Sequence, residues 1–334
     1  MAKPRVGFDI GTNSVKIALM EGSGVKRLVI EPLPQDLIRE GRIVSYDAMA
    51  DFLKQTVRKH RVSGQSCAMV LPQWQAHVRR LTIPKMTQAQ LKVNLPYEFR
   101  DYLSGGKDLY FYDYAVNTPL VPGEEPPDEL DLTAAAILKQ DIDNYLDLFR
   151  RIGFKLRVAV PPECACSNLL RSAAGSLPRE LCILDLGHTA TRVHIFSGHR
   201  WEATRIVELG CAQIDEAIAE SFGVDEFVAG TYKNTNYGSA QSCEPAQQVY
   251  AAIAVEIMKV INFYRFSNRE SELRDVYCCS GGALIQDLLR AIEAQAIQSS
   301  LNLELHPIQE LLPQISQGDK NAVFSAGAVG ALLQ

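Results

Sequence analysis

The stretch Val6–Glu21 reads VGFDIGTNSVKIALME. An apolar run ends on Asp9. A short polar turn follows, Gly11-Thr12-Asn13-Ser14, and apolar Val15, Ile17 and Leu19 then alternate with Lys16, Ala18 and Met20. Period-two alternation is the signature of a half-buried strand, so the stretch predicts two strands joined by a tight turn. By itself this is an ordinary hairpin with a glycine-assisted turn. The backbone amides of such a turn can equally hold an anion.

The same arrangement recurs in the second half of the chain. Residues 182–200 read CILDLGHTATRVHIFSGHR, in which Asp185 answers Asp9, Gly187 answers Gly11 and Arg192 answers Lys16, at an offset of 176 residues. His188, Thr189 and Thr191 occupy the second turn as Thr12, Asn13 and Ser14 occupy the first. Internal similarity on this scale predicts two similar lobes. Two hairpins facing one another across a cleft would offer their N–H groups to a single polyphosphate. Asp9 and Asp185 would hold Mg²⁺ at the strand ends, largely through waters, because Mg²⁺ dehydrates reluctantly. Glycine at Gly11 and Gly187 would let phosphate oxygens approach the backbone. A third element, CSGGALIQDLL from Cys279, places Ser280, Gly281 and Gly282 between a strand and a helix, where a flat ring or phosphate can sit at the helix start.

The 334 residues suit two lobes better than one small domain. They are 47% hydrophobic and 22% charged with a net charge of −5, which fits a globular protein with a sizeable core and offers no basic excess for nucleic acid. No apolar run reaches the ~20 residues of a membrane helix, and the N-terminus runs straight into a strand without a signal peptide. The eight cysteines form no CxxC pair and no zinc spacing, so they read as buried thiols in a reducing, cytoplasmic setting.

Along the chain, Tyr46–His60 has helical periodicity with Ser45 as N-cap. Thr87 caps an amphipathic helix that Pro96 should kink or interrupt. DLYFYDYAV is a strand whose tyrosines 110, 112 and 114 share a face. The Pro- and acid-rich segment Val121–Asp131 predicts an exposed, mobile loop, and LTAAAILK a buried strand. Helices follow at Asp141–Ile152, after KLRVAV, at Cys211–Phe222 and at Pro245–Phe266. NAVFSAGAVGALL predicts a C-terminal helix rich in small residues.

In this order the elements resemble the actin-like ATPase superfamily, which includes sugar kinases, heat-shock chaperones and FtsA. The hairpins look like its two phosphate loops, VAVPPECACSNLL and FSAGAVGALL like its connecting helices, and SGGALIQDL like its adenosine motif. Within it, RRLTIPKMTQAQLKVNLPYEFRDYL, FYDYAV and AAAILKQDIDNYLDLFRRIGFKLRVAVPPECACSNLL resemble the PilM family of type IV pilus assembly proteins, of the FtsA-like branch. The resemblance implies an α/β actin-like ATPase fold with two lobes around a nucleotide cleft. It implies first-lobe segments 1–77 and 141–180, an extra FtsA/PilM-like subdomain at 78–140, a second lobe at 181–320 and a returning helix at 321–334. It implies ATP and Mg²⁺ as cofactors, and Glu163 in the place of the group that orients the attacking water. Glu256 and Lys259, three apart on one helix face, have the spacing used for ribose contact in related chaperones. An i,i+3 surface ion pair has the same spacing.

The implied partner is a PilN-like inner-membrane protein, whose short cytoplasmic N-terminal segment would enter a groove beside the extra subdomain, with Tyr97, Phe99 and Tyr102 as lining candidates. No membrane insertion is implied; the protein would be recruited to the inner face of the membrane, and homo-oligomers are an option the resemblance leaves open. Any ATPase activity would be slow at most. The sequence departs from the superfamily at Ser280, where glycine is usual, and at Gln286-Asp287, where Pro-Gly is usual. FtsA itself ends in an amphipathic membrane helix that this sequence lacks. An FtsA-like division protein and a small-molecule kinase, with Asp113 or Asp141 as catalytic candidates by position only, are the alternative readings.

Overall fold

The computed structural model describes residues 5–117, 128–173, 175, 177–313 and 319–333. The first lobe opens with β1 (Val6–Ile10), β2 (Ser14–Glu21) and β3 (Gly24–Pro32). A small ribbon of β4 (Ile38–Arg39) and β5 (Arg42–Ile43), the helix α1 (Tyr46–Lys59) and β6 (Ser66–Val70) follow. Ser45 caps α1 by accepting the Ala48 N–H, and Met49, Leu53 and Val57 form its buried stripe.

An inserted unit then builds its own sheet from β7 (Ala76–Pro84), β8 (Tyr110–Val116) and β9 (Glu129–Leu138), with α2 (Gln88–Glu98) packed on it. The sheet order is β7-β9-β8, so β8 is an edge among the described residues. Thr87 and Gln90 close a capping box at the start of α2, and the helix ends two residues beyond Pro96. The proline has no N–H to bond a carbonyl one turn back, and the helix closes soon after it. Tyr110, Tyr112 and Tyr114 do face α2, and Phe99 meets the Tyr112 ring at 5.8 Å.

The chain returns through α3 (Lys139–Arg151), β10 (Lys155–Val160) and α4 (Pro162–Ser172). The second lobe comprises β11 (Glu180–Leu186), β12 (Thr191–Ser197), β13 (Arg200–Val207), α5 (Cys211–Phe222), α6 (Glu226–Thr235), α7 (Glu244–Ser267), β14 (Asp275–Cys279), α8 (Gln286–Gln298) and β15 (Glu304–Pro307). The short α9 (Ala326–Gly330) comes last.

The two large sheets have one design. The first runs β10-β6-β1-β2-β3 and the second β15-β14-β11-β12-β13. In each, the opening hairpin and its third strand are antiparallel, and the two later strands add in parallel. Helices α1 and α3 cover the outer face of the first sheet, and α5, α7 and α8 that of the second. Between the sheets, α4 and α9 share one core with residues of both, including Ala18, Val70, Ile183 and Phe196.

Two expectations are corrected. Glu129–Asp131 lie in β9 rather than a loop, because Leu130 and Asp131 pair with Ile83 and Thr82 of β7; residues 121–127 fall outside the described residues. The C-terminal helix is also not continuous. Lys320–Phe324 form a 3₁₀ turn and α9 spans five residues. The Ser325 hydroxyl donates to the Ala322 carbonyl and so competes with helix propagation there.

Candidate functional site

The paired hairpins are built register for register. In the first, Asp9 on β1 lies opposite Lys16 on β2, with 3.8 Å between carboxylate and ammonium. In the second, Asp185 on β11 lies opposite Arg192 on β12, with 3.0 Å between them. The Gly11 N–H donates to the Ser14 carbonyl and the Gly187 N–H to the Asp185 carbonyl, each at 3.0 Å. A Cβ at Gly187 would fall 2.7 Å from the Ala190 carbonyl oxygen, so that tip needs glycine, while one at Gly11 would fall 2.5 Å from Lys16 Nζ and displace the lysine. The hairpins face each other. Burial pushes the Asp185 carboxyl up, but Arg192, the Ser280 hydroxyl and Lys16 of the opposite lobe outweigh it and hold Asp185 below the usual range. Burial pushes the thiols of Cys166 on α4 and Cys279 on β14 up, and the charges of Asp185 and Asp9 act on both in the same direction.

The turn after β14 completes this site. Ser280 adopts φ 69°, ψ −172°, a region essentially restricted to glycine. Its hydroxyl donates to Asp185 Oδ1 at 2.5 Å, and its N–H donates to the Val323 carbonyl. Gly281 faces Phe324, whose ring lies 3.7 Å from where a Cβ would stand. Gly282 is buried against Leu186, so its missing side chain serves packing of the turn on the sheet.

Among the remaining residues read from sequence, Thr12, Asn13, Ser14 and Thr189 line the two tips at the surface or half-buried. Thr191 is not with them; it is buried at the start of β12. His188 is half-buried rather than solvent-facing. Its Nδ1 lies 3.9 Å from Asp215 and makes no hydrogen bond among the described residues. Burial lowers its pKa below the usual histidine range, and the Lys233 charge acts in the same direction. Asp215 on α5 and Lys233 on α6 form a buried pair at 2.6 Å, and Lys233 also donates to the Cys211 carbonyl. This pair was not read from the sequence, where an isolated Asp and an isolated Lys 18 residues apart carry no pattern. Glu256 and Lys259 pair with each other at 2.6 Å on the exposed side of α7, which is the surface-pair reading of their spacing.

Glu163 stands in the first turn of α4, 2% exposed. Gln73 donates to its Oε1, while Oε2 has no hydrogen-bond partner among the described residues. Burial raises its carboxyl above the usual range, against the opposing pull of Gln73, Thr204 and Arg192.

The inserted subdomain offers a second surface. A groove of about 440 Å³ runs between α2 and the edge strand β8 to the start of α3, lined by Gln88, Lys92, Phe111, Tyr112, Tyr114 and Lys139. The expected aromatic trio is divided. Phe99 is fully buried, whereas Tyr97 and Tyr102 are exposed and stack under Lys107 and Arg79. The subdomain is tied to the second lobe by four charges. Arg80 of β7 pairs with Asp131 of β9 at 2.7 Å, and Arg200 with Glu202 on β13 at 2.7 Å. Across the junction, Arg80 meets Glu202, and Arg200 meets Asp131 at 3.1 Å.

The sequence model of the family described as type IV pilus assembly protein PilM matches residues 7–319. The chain belongs to the PilM family. A solved PilM–PilN type IV pilus biogenesis complex contains a chain similar to this one, with a TM-score of 0.82 and 22% identity over 99% of this chain and 98% of that one. The ethanolamine utilization protein EutJ from Carboxydothermus hydrogenoformans follows, with a TM-score of 0.61 and 14% identity over 100% of this chain and 91% of that one. No curated protein matches the sequence. These likenesses support the actin-like ATPase fold for this PilM family member. No helix among the described residues is long and apolar enough to cross a membrane.

Proposed function

We propose that this PilM family member is an ATP-responsive scaffold for type IV pilus assembly, in which the state of the cleft sets the affinity of the inserted subdomain for a PilN-like partner. The ion ring Arg80–Asp131–Arg200–Glu202 carries this reading, because it joins the subdomain that bears the groove to the lobe that bears the second hairpin. Differential affinity for two states is what coupling requires.

The residues present fit a magnesium polyphosphate. The glycine tips leave no side chain in the way, two cations stand behind them, and two carboxylates flank the centre. Lys16 and Arg192 would hold the phosphates and Asp9 and Asp185 the waters of Mg²⁺; bound there, the ion and polyphosphate supply charge that draws the two hairpins together. Lys16 and Arg192 are now paired with those aspartates, so binding exchanges each internal ion pair for an external one. Glu163, enclosed beside Thr204 of the opposite lobe, answers lobe position more directly than it answers water, which fits slow turnover at most.

The groove suits an extended segment. Among the described residues the outer edge of β8 has no strand neighbour, and a peptide can add to it by β-augmentation while its side chains enter the pocket beside Tyr112 and Tyr114. In this reading the occupant is the short N-terminal segment of a membrane-anchored PilN-like protein. That partner would bring the scaffold to the inner face of the cell membrane. Fluorescence anisotropy of such a peptide, with and without Mg-ATP, tests the proposal. Wild type should change its peptide affinity on adding nucleotide, and the Asp9→Ala, Asp185→Ala double variant should not. Equal responses from both would remove the cleft from the argument.

A further inference from the structure

We propose that Asp275, Glu304 and His306 bind one divalent transition-metal ion of the zinc class, at a site outside the cleft. β14 and β15 run parallel, with Asp275 paired to Glu304 and Tyr277 to His306. Glu304 and His306 are two apart, so they share a face with Asp275. One ligand atom from each of the three residues lies within 4.8 Å of the others, and His306 Nε2 is already 3.0 Å from Asp275 Oδ1. Ligands bonded tetrahedrally to one zinc stand about 3.4 Å apart, so small side-chain rotations on a rigid sheet edge complete the set.

Two further observations favour an ion over a simple His–Asp hydrogen bond. Asp275 and Glu304 are direct cross-strand neighbours of like charge, an unfavourable pairing that a cation between them would relieve. The imidazole is also held from behind. It stacks on Tyr277 at 5.0 Å, and its second nitrogen lies 3.6 Å from Glu310, so Nε2 is aimed at the two carboxylates. A carboxylate behind the other ring nitrogen is the usual support of a metal-binding histidine. A mixed imidazole and carboxylate set suits zinc and its first-row neighbours better than Mg²⁺.

The site lies at the start of β14, whereas Ser280 follows its end. Beyond His306 the chain enters the turn Ile308–Leu311, whose Ile308 and Leu311 are buried in the core between the lobes. An ion there would fasten this turn to the sheet without entering the cleft.

The test is titration of the whole chain with Zn²⁺, with Mg²⁺ in parallel, and with Co²⁺ as a spectroscopic probe. Wild type should bind one Zn²⁺, melt at a higher temperature with it, and give a Co²⁺ spectrum without thiolate charge-transfer bands. His306→Gln and Asp275→Asn should lose binding and the thermal shift. Glu310→Gln should weaken affinity by about 10–100-fold. His199→Gln, at an exposed histidine elsewhere, should behave as wild type. Zn²⁺ binding unchanged in His306→Gln, no thermal shift in wild type, thiolate bands from the cysteines, or equal binding of Mg²⁺ would each overturn the assignment.

Discussion

The ion ring between the inserted subdomain and the second lobe can be tested by a double-mutant cycle on Arg80 and Glu202, the pair that crosses the junction. Two charges about 4 Å apart attract by about 4 kcal/mol at an effective dielectric of 20 and about 1 kcal/mol in water. Glu202 is 14% exposed and Arg80 33%, so the site lies between these limits and solvent screening takes part of the gain. The expected interaction energy is about 1–2 kcal/mol. Arg80→Met, Glu202→Gln and the double variant would be unfolded in urea at low and high salt. The double variant should be more stable than the sum of the single losses predicts, by that amount at low salt and by less at high salt. Asp131 and Arg200 stay in place, so the single variants leave one arginine or one carboxylate short of a partner rather than dismantling the ring. In the peptide assay, the nucleotide-dependent change in affinity should shrink in all three variants. Additivity within about 0.5 kcal/mol, together with an unchanged nucleotide response, would refute the idea that this contact transmits anything.

Ser280 holds a glycine-only backbone at a cost of about 1–3 kcal/mol, offset by a hydrogen bond to an ionised carboxylate worth about 1.5–3 kcal/mol. Ser280→Gly should therefore melt near wild type while calorimetry shows tighter Mg-ATP. Ser280→Ala keeps the strain without the bond and should lose about 1–3 kcal/mol; equal stability of the two would dispose of this account. His194 is buried, and burial lowers its pKa to about 4, against an unfolded value near 6.5. The unfolded chain binds the proton first, so stability is full above the unfolded value and falls by roughly 3 kcal/mol as pH drops to the folded one. His194→Gln should flatten that part of a denaturation-versus-pH curve. A Cβ at Gly330 would stand 2.2 Å from the Ala165 carbonyl oxygen of α4, so Gly330→Ala should lower stability by about 1–3 kcal/mol or more, measurable in urea.

Much of the fold was legible because it is written twice. Asp9 and Asp185, each followed two residues later by glycine and then by a cation facing the aspartate, mark both hairpins, and period-two alternation carries the strands on either side. Ser280 was singled out as a departure from the superfamily pattern, and its backbone adopts angles that favour glycine. The reading stayed open where one pattern serves two geometries. The i,i+3 spacing of Glu256 and Lys259 is the same for a ligand contact and for a surface pair. Thr191 was grouped with the hairpin tip, yet it begins the strand and points inward. Contacts between distant segments left no trace at all. Arg80 and Glu202 are 122 residues apart, and Asp215 meets Lys233 only because α5 and α6 fold against each other. The length of α9 was also unreadable, since small residues suit a long helix as well as a short one packed tightly on a strand.

That tight packing has a mechanical meaning. α9 is gripped closely on two sides, and Asn168 of α4 also donates to the Gly330 carbonyl. The Ala328 carbonyl of α9 sits over Gly7 of β1, where a Cβ would come within 2.0 Å, and Gly330 sits on the backbone of Ala165 in α4. A crossing this close has no slack for translation, because sliding drives a carbonyl into a Cα. The returning helix is thus a fixed seat for α4 on the first sheet, and Gly7 and Gly330 are the two points where a larger residue would unseat it.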